Sequence, residues 1–164
     1  MKRGASLKRG QAATEFAVLY AGVILPLTFM TIFAAEALWI WHSIVDFTRD
    51  GARYAVTHYC QAQDGSNVVS YMQSNVPPMI DQAQFQAGGA AQIQVQFLDP
   101  TGQPFSQGGC ADCVPDNVSV SVANYQFGRL AGYLKLPSIT MPSFTTNLPM
   151  ESAGLDNTGV CVSQ

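Results

Sequence analysis

The sequence predicts an α+β protein: a long N-terminal transmembrane helix extending into a small domain with a three- to four-stranded antiparallel sheet. Three observations predict it. Residues 16–35 are 20 consecutive positions without Asp, Glu, Lys, Arg or His. An amphipathic helical pattern follows directly. Short stretches of two-residue alternation then occupy the C-terminal half.

At about 1.5 Å per residue, 20 helical residues span roughly 30 Å, the hydrocarbon thickness of a bilayer. A cleaved secretory signal has a shorter apolar region, about 7–15 residues, ending in small residues. Here bulky Leu38, Trp39, Ile40 and Trp41 follow the run, so it reads as a retained anchor. A buried helix of a soluble domain is the alternative, disfavoured because such helices rarely lack a polar face. Lys2, Arg3, Lys8 and Arg9 are half of the eight basic residues, and all precede the run. The positive-inside tendency therefore keeps the N-terminus cytoplasmic and exports the C-terminal part. Residues 37–164 carry 4 basic and 9 acidic side chains, 4 − 9 = −5. An acidic exported part gives no reason to expect nucleic-acid binding.

The expected organisation is a basic leader over residues 1–10, a transmembrane helix over 11–45, and an exported α+β domain over 46–164 packed on the helix extension. One helix is expected over residues 12–59, kinked or loosened near Pro26, with Trp39, Trp41 and His42 at the far interface. Beyond it, Ile40, Ile44, Phe47, Tyr54 and Val56 form an apolar stripe suited to lie under a sheet. Asp46 with Arg49, and Asp50 with Arg53, are i,i+3 pairs of opposite charge. Residues 68–84 predict a shorter helix broken at Pro77-Pro78.

The period then changes. Ile93, Val95 and Phe97 alternate with Gln92, Gln94 and Gln96, a half-buried strand. Asp99-Pro100-Thr101-Gly102 suits a type I turn. Val118, Val120 and Val122 alternate with Ser119 and Ser121. Tyr125 and Phe127 are out of phase with those valines, which a bulge near Ala123-Asn124 would reconcile. A third strand is expected within residues 139–150, where Pro142 and Pro149 confine it to an edge or flanks. Phe127, Leu130, Tyr133, Leu134 and Leu136 form an apolar stretch that either contacts a neighbour or closes the core.

The start of the chain carries the functional signal. The basic leader ends in Gly10, Gln11 follows, and Glu15 and Phe16 stand where the apolar run begins. Cleavage after Gly10 would make Gln11 the first residue and Glu15 the fifth. This resembles the type IV prepilin signature. The match narrows to the TadE-like family of the tight-adherence pilus system through Leu25-Pro26-Leu27, Glu36 before an aromatic-rich turn, and Asp50-Gly51-Ala52-Arg53-Tyr54-Ala55. Val114-Pro115-Asp116 and Leu136-Pro137-Ser138 are similar to the family's strand-rich end. The chain departs from the pattern at Ala37-Leu38, where many relatives carry Gly-Arg.

The resemblance implies a minor pilin or pseudopilin, cut by a prepilin peptidase between Gly10 and Gln11 and used in assembling a pilus for surface attachment. It implies an inner-membrane, single-pass protein that enters an extracellular pilus. Implied partners are the peptidase, other pilins, the assembly platform and membrane lipid. Glu15, Phe16 and Glu36 become assembly residues. A carboxylate is costly in lipid, about 2.5–3.5 kcal/mol at mid-membrane, and the new amine would partner Glu15. The alternative, that Glu15 merely sits at the headgroup boundary and favours a helix N-terminus, is disfavoured because leader and spacing agree. Glu36 either reaches interfacial water or makes a polar contact between packed helices.

Cys60, Cys110, Cys113 and Cys161 all fall in the exported part, which permits disulfides. Four cysteines allow three pairings; Cys110 with Cys113 and Cys60 with Cys161 is the expected one. A Cys₄ zinc site is the alternative. His42 and His58 stand sixteen apart without an acidic cluster and read as interfacial or surface residues. No nucleophile–base pattern or phosphate loop is visible, so neither an enzyme nor a cofactor is expected. An unprocessed, permanently anchored scaffold or binding module is the competing class.

Overall fold

The computed structural model describes residues 5–106, 114–128, 137–151 and 155. Cys110, Cys113, Cys161, Leu130, Tyr133, Leu134 and Leu136 lie outside the described residues. The chain divides into a helical unit ending at Trp39 and a second unit beginning at Ile40.

Helix α1 covers Ala5–Leu19, a π turn covers Tyr20–Ile24, and α2 covers Leu25–His58. The helix starts earlier than residue 12: residues 5–11 are already helical, because Lys, Arg, Gln and Ala are good helix formers. Pro26 acts where expected. It has no N–H to give to the preceding turn, and the helix widens just before it, with the Leu25 N–H donating to the Tyr20 carbonyl. Thr28 and Thr31 turn their hydroxyls back onto the Ile24 and Leu27 carbonyls at 2.7 and 2.9 Å, so these two hydroxyls are bonded within the helix.

In the second unit, α2 buries Ile40, Ile44, Phe47 and Val56. The predicted stripe was incomplete. Thr48, Gly51, Ala52 and Ala55 are buried with it, while Tyr54 is half-buried, its ring stacked 3.9 Å from His58 and 4.0 Å from Tyr71. Small residues here let neighbouring chain come close. A Cβ at Gly51 would overlap the Met72 sulfur and lie 2.9 Å from Met72 Cε. Both predicted ion pairs form, Arg49–Asp46 at 3.3 Å and Arg53–Asp50 at 3.8 Å, all exposed.

A 3₁₀ turn at Tyr59–Gln61 ends the helix. The shorter helix, α3, covers Ser66–Ser74 and stops before Pro77; Gln82–Phe85 forms a separate 3₁₀ turn. Strands follow at Gln92–Leu98 (β1), Asn117–Ala123 (β2), Gln126–Phe127 (β3), Ile139–Thr140 (β4) and Phe144–Pro149 (β5). The main sheet is antiparallel in the order β1-β2-β5; β3 and β4 form a second, two-stranded sheet. Val118, Val120 and Val122 are fully buried, each worth about 1.5–3 kcal/mol relative to exposure.

Helix α2 crosses the main sheet obliquely. Trp41 packs edge-on to Phe144 of β5 (4.7 Å) and Tyr59, just past the helix, edge-on to Phe97 of β1 (4.6 Å). Between them, buried Thr48 and Thr146 of β5 share a hydroxyl hydrogen bond at 3.0 Å.

The bulge expected near Ala123-Asn124 is a change of sheet. Asn124 adopts φ 59°, the left-handed region that Asn tolerates, and the strand leaves β2 to pair with β4. Phe127 is buried, so this member of the C-terminal apolar stretch closes the domain's own core.

Candidate functional site

The helix from Gly10 to Gln61 has 52 residues, and its most apolar window has mean hydropathy 2.1 with none of it buried. The apolar side chains from Phe16 onward point outward: Phe16 is 64% exposed and Met30 74%. In water such a surface would be untenable; by length and composition it suits a bilayer.

At the start of this surface the predicted residues come together. Gln11 and Glu15 lie one turn apart, with the Gln11 Nε2 donating to the Glu15 Oε1 at 3.3 Å. Thr14 caps back to the Gln11 carbonyl at 2.8 Å. The Phe16 ring packs near Tyr20, 6.2 Å between centroids. Gly10 is helical and exposed, and a Cβ there would meet nothing within 4 Å. Glycine in a helix interior costs about 1 kcal/mol relative to Ala, and the chain itself gives no steric reason for it.

Glu36 lies a further 21 residues along (36 − 15 = 21) and does not join this cluster. Its Oε2 is buried with no hydrogen-bond partner. A carboxylate oxygen shielded from solvent and unbonded is under-satisfied, which sequence spacing alone did not reveal.

Other polar groups serve the fold. The Asp99 carboxylate accepts from the Thr101 hydroxyl and from the Gln103 and Thr101 N–H groups at 2.7–2.9 Å. Those bonds hold its pKa below the usual carboxylate range, the Thr101 hydroxyl first among them. The Gly102 N–H closes the predicted turn onto the Asp99 carbonyl at 2.9 Å. Asp64 is lowered likewise by the Ser66 N–H and hydroxyl, and burial raises Tyr59. Gln84 clamps the β3 backbone reciprocally, its amide bonding Gln126 O and N at 2.8 Å each.

His42 is exposed and His58 half-buried; the His58 Nδ1 lies 2.7 Å from the Thr57 hydroxyl and 3.0 Å from the Tyr54 carbonyl. Among the described residues no cluster of His, Cys, Asp and Glu could hold a metal. Cys60 lies in the 3₁₀ turn Tyr59–Gln61 that ends the helix; the other three cysteines are outside the described residues.

A long N-terminal apolar helix leads into a small antiparallel sheet whose core face the helix covers. The architecture is pilin-like. No family model, curated protein or solved structure matches the chain. The pilin-like reading therefore rests on element order and on the Gly10–Phe16 geometry.

Proposed function

We propose that this chain is a TadE-like minor pilin or pseudopilin of a tight-adherence pilus, cut between Gly10 and Gln11 and used in pilus assembly and surface attachment. The observation that carries the reading is the Gln11–Glu15 pair, one turn apart where a long exposed apolar helix begins. Cleavage would turn Gln11 into a positively charged terminus within reach of Glu15. Gly10 supports the reading from another side. It costs helix stability and the chain does not need it, so an outside constraint, the peptidase cleft, accounts for it.

In this reading the protein sits in the inner membrane, leader in the cytoplasm and second unit exported. Its partners are the peptidase, other pilins, the assembly platform and lipid; it binds no nucleic acid and is not an enzyme. Disulfides Cys60–Cys161 and Cys110–Cys113 brace the exported part. A neighbour's Glu15 meets the Gln11 amine at one axial offset only, so the charge pair sets the stagger of packed helices. Apolar burial cannot set it, because lipid is as apolar as the helix. The unbonded Oε2 of Glu36 supports a second polar contact of this kind.

The test has two arms. N-terminal sequencing from cells with and without prepilin peptidase should give Gln11 and Met1 respectively, the processed chain having 164 − 10 = 154 residues. In a Glu15→Gln strain, cleaved protein should remain in the membrane while its share in sheared filaments falls. Normal incorporation of that variant would reduce Glu15 to a boundary residue.

A further inference from the structure

We infer that the main sheet joins copies of this chain head to tail, the β1 edge of one copy taking the β5 edge of the next in parallel. The direction of the edge groups is fixed by bonds at the strand ends. The Phe97 carbonyl accepts from the Phe105 N–H at 2.8 Å, and the Asp99 N–H donates to the Gln103 carbonyl at 2.9 Å, both away from β2. Residues two apart point their N–H and C=O to the same side. Ile93 and Val95 therefore also direct theirs outward, where no described residue bonds them.

On β5 the Met150 N–H donates inward to the Asp116 carbonyl at 2.8 Å. Phe144, Thr146 and Leu148 then face β2, while Thr145, Asn147 and Pro149 face out. Pro149 stands where its missing N–H removes no ladder bond. Each edge thus offers a two-residue window with a stop beside it: Ile93 and Val95 before the Phe105 cap, Thr145 and Asn147 before Pro149.

These windows fit in one sense. In a parallel pair, a residue bonds the two neighbours of the residue opposite it. With Val95 opposite Thr146, the Val95 N–H meets the Thr145 carbonyl and the Asn147 N–H meets the Val95 carbonyl. Val95 and Thr146 both lie on the helix-covered face, so the core face continues across the joint. An antiparallel joint would put the exposed face of one copy beside the core face of the next. Strands β1 and β5 are already parallel within a chain, each being antiparallel to β2. Copies inserted in a membrane by the same helix share one direction, which the parallel joint preserves. That last point rests on the anchored-pilin reading; the edge geometry does not.

Charge agrees. Exposed edges are usually blunted by Lys or other charged residues. Among the described residues, no strand carries a charged side chain. Gln92, Gln94 and Gln96 on β1 and Thr145 and Asn147 on β5 present neutral amides and hydroxyls, and a second copy of the chain is a neutral partner for them.

Cysteine pairs test the joint. In one chain Gln94 and Thr145 both neighbour Ser121, two strand spacings apart, about 9.6 Å, too far for a disulfide. Across the joint they stand opposite at about 4.8 Å, within disulfide reach. Full-length Gln94→Cys and Thr145→Cys variants, differently tagged and co-expressed, should give at least tenfold more mixed dimer under mild oxidant than either variant alone. Equal dimer from Gln94→Cys alone would show β1 meeting β1 and overturn the proposal. So would dimer no higher than the unsubstituted chain gives. Asn147→Pro removes one outward N–H and no β2–β5 bond. It should cut the mixed dimer tenfold at unchanged melting temperature, and an undiminished dimer would also overturn the joint. Cleavage at Gly10 is scored in the same cells, so failure of the processing reading is seen separately.

Discussion

Replacing Gly51 by Ala sets two effects of opposite sign against each other. Alanine in a helix interior is better than glycine by about 1 kcal/mol. Its Cβ, however, would overlap the Met72 sulfur and lie 2.9 and 3.0 Å from Met72 Cε and Cγ. Ordinary contact begins near 3.5 Å, and Met72 is itself 1% exposed, so its side chain has little space to retreat into. Overpacking of this kind costs about 1–3 kcal/mol. The net expectation is a loss of about 0–2 kcal/mol, too close to zero for the single variant to decide. The cycle with Met72 decides it. Met72→Ala alone should cost about 2–5 kcal/mol. In the double variant the clash is gone and the helical gain returns, so the two changes should couple favourably by about 1–3 kcal/mol. The assay is urea unfolding of the full chain in detergent, followed by near-ultraviolet circular dichroism. Additivity within about 0.5 kcal/mol would refute close packing of α2 on α3 as the reason for Gly51.

Thr48→Val should cost about 0.5–1.5 kcal/mol by stranding the Thr146 hydroxyl, and Thr48→Val with Thr146→Val should recover part of it, both read from the same unfolding curves. Asn124→Val forces a β-branched residue to positive φ and should cost about 1–3 kcal/mol, whereas Asn124→Gly should melt near the parent temperature. Asp99 has its pKa lowered by folding, so its contribution is complete above the unfolded value near 3.9 and lost as pH falls through the lower folded value. Asp99→Asn should therefore flatten the acid limb of stability against pH below about pH 4, measured by thermal melting across a pH series.

What the sequence disclosed is what depends on near neighbours. The alternations Ile93-Val95-Phe97 and Val118-Val120-Val122 survive as β1 and β2 because period two is a property of each strand. The Asp46–Arg49 and Asp50–Arg53 pairs formed because i,i+3 spacing is a property of the helix. Pro149 marked an edge because a missing N–H is intolerable inside a ladder. The Gln11–Glu15 contact belongs to the same class, one helical turn read directly from spacing.

What it concealed depends on contacts distant along the chain. Gly51, Ala52 and Ala55 carry no apolar bulk, so a stripe drawn from large side chains passes them over, although the approach of Met72 makes them core. Asn124 looks like any loop residue until its φ turns the strand out of one sheet and into another. The unbonded Oε2 of Glu36 is a matter of burial, which spacing cannot supply. The uncharged strands fall between the two classes. Their composition was legible throughout, yet a neutral strand is unremarkable until register shows which carbonyls and N–H groups face out. Only when Phe105 caps Phe97 and Met150 bonds Asp116 does parity turn the N–H and C=O groups of Ile93, Val95, Thr145 and Asn147 away from β2. Neutrality then becomes a property of a strand edge, and an edge without charge lacks one of the usual barriers to strand pairing.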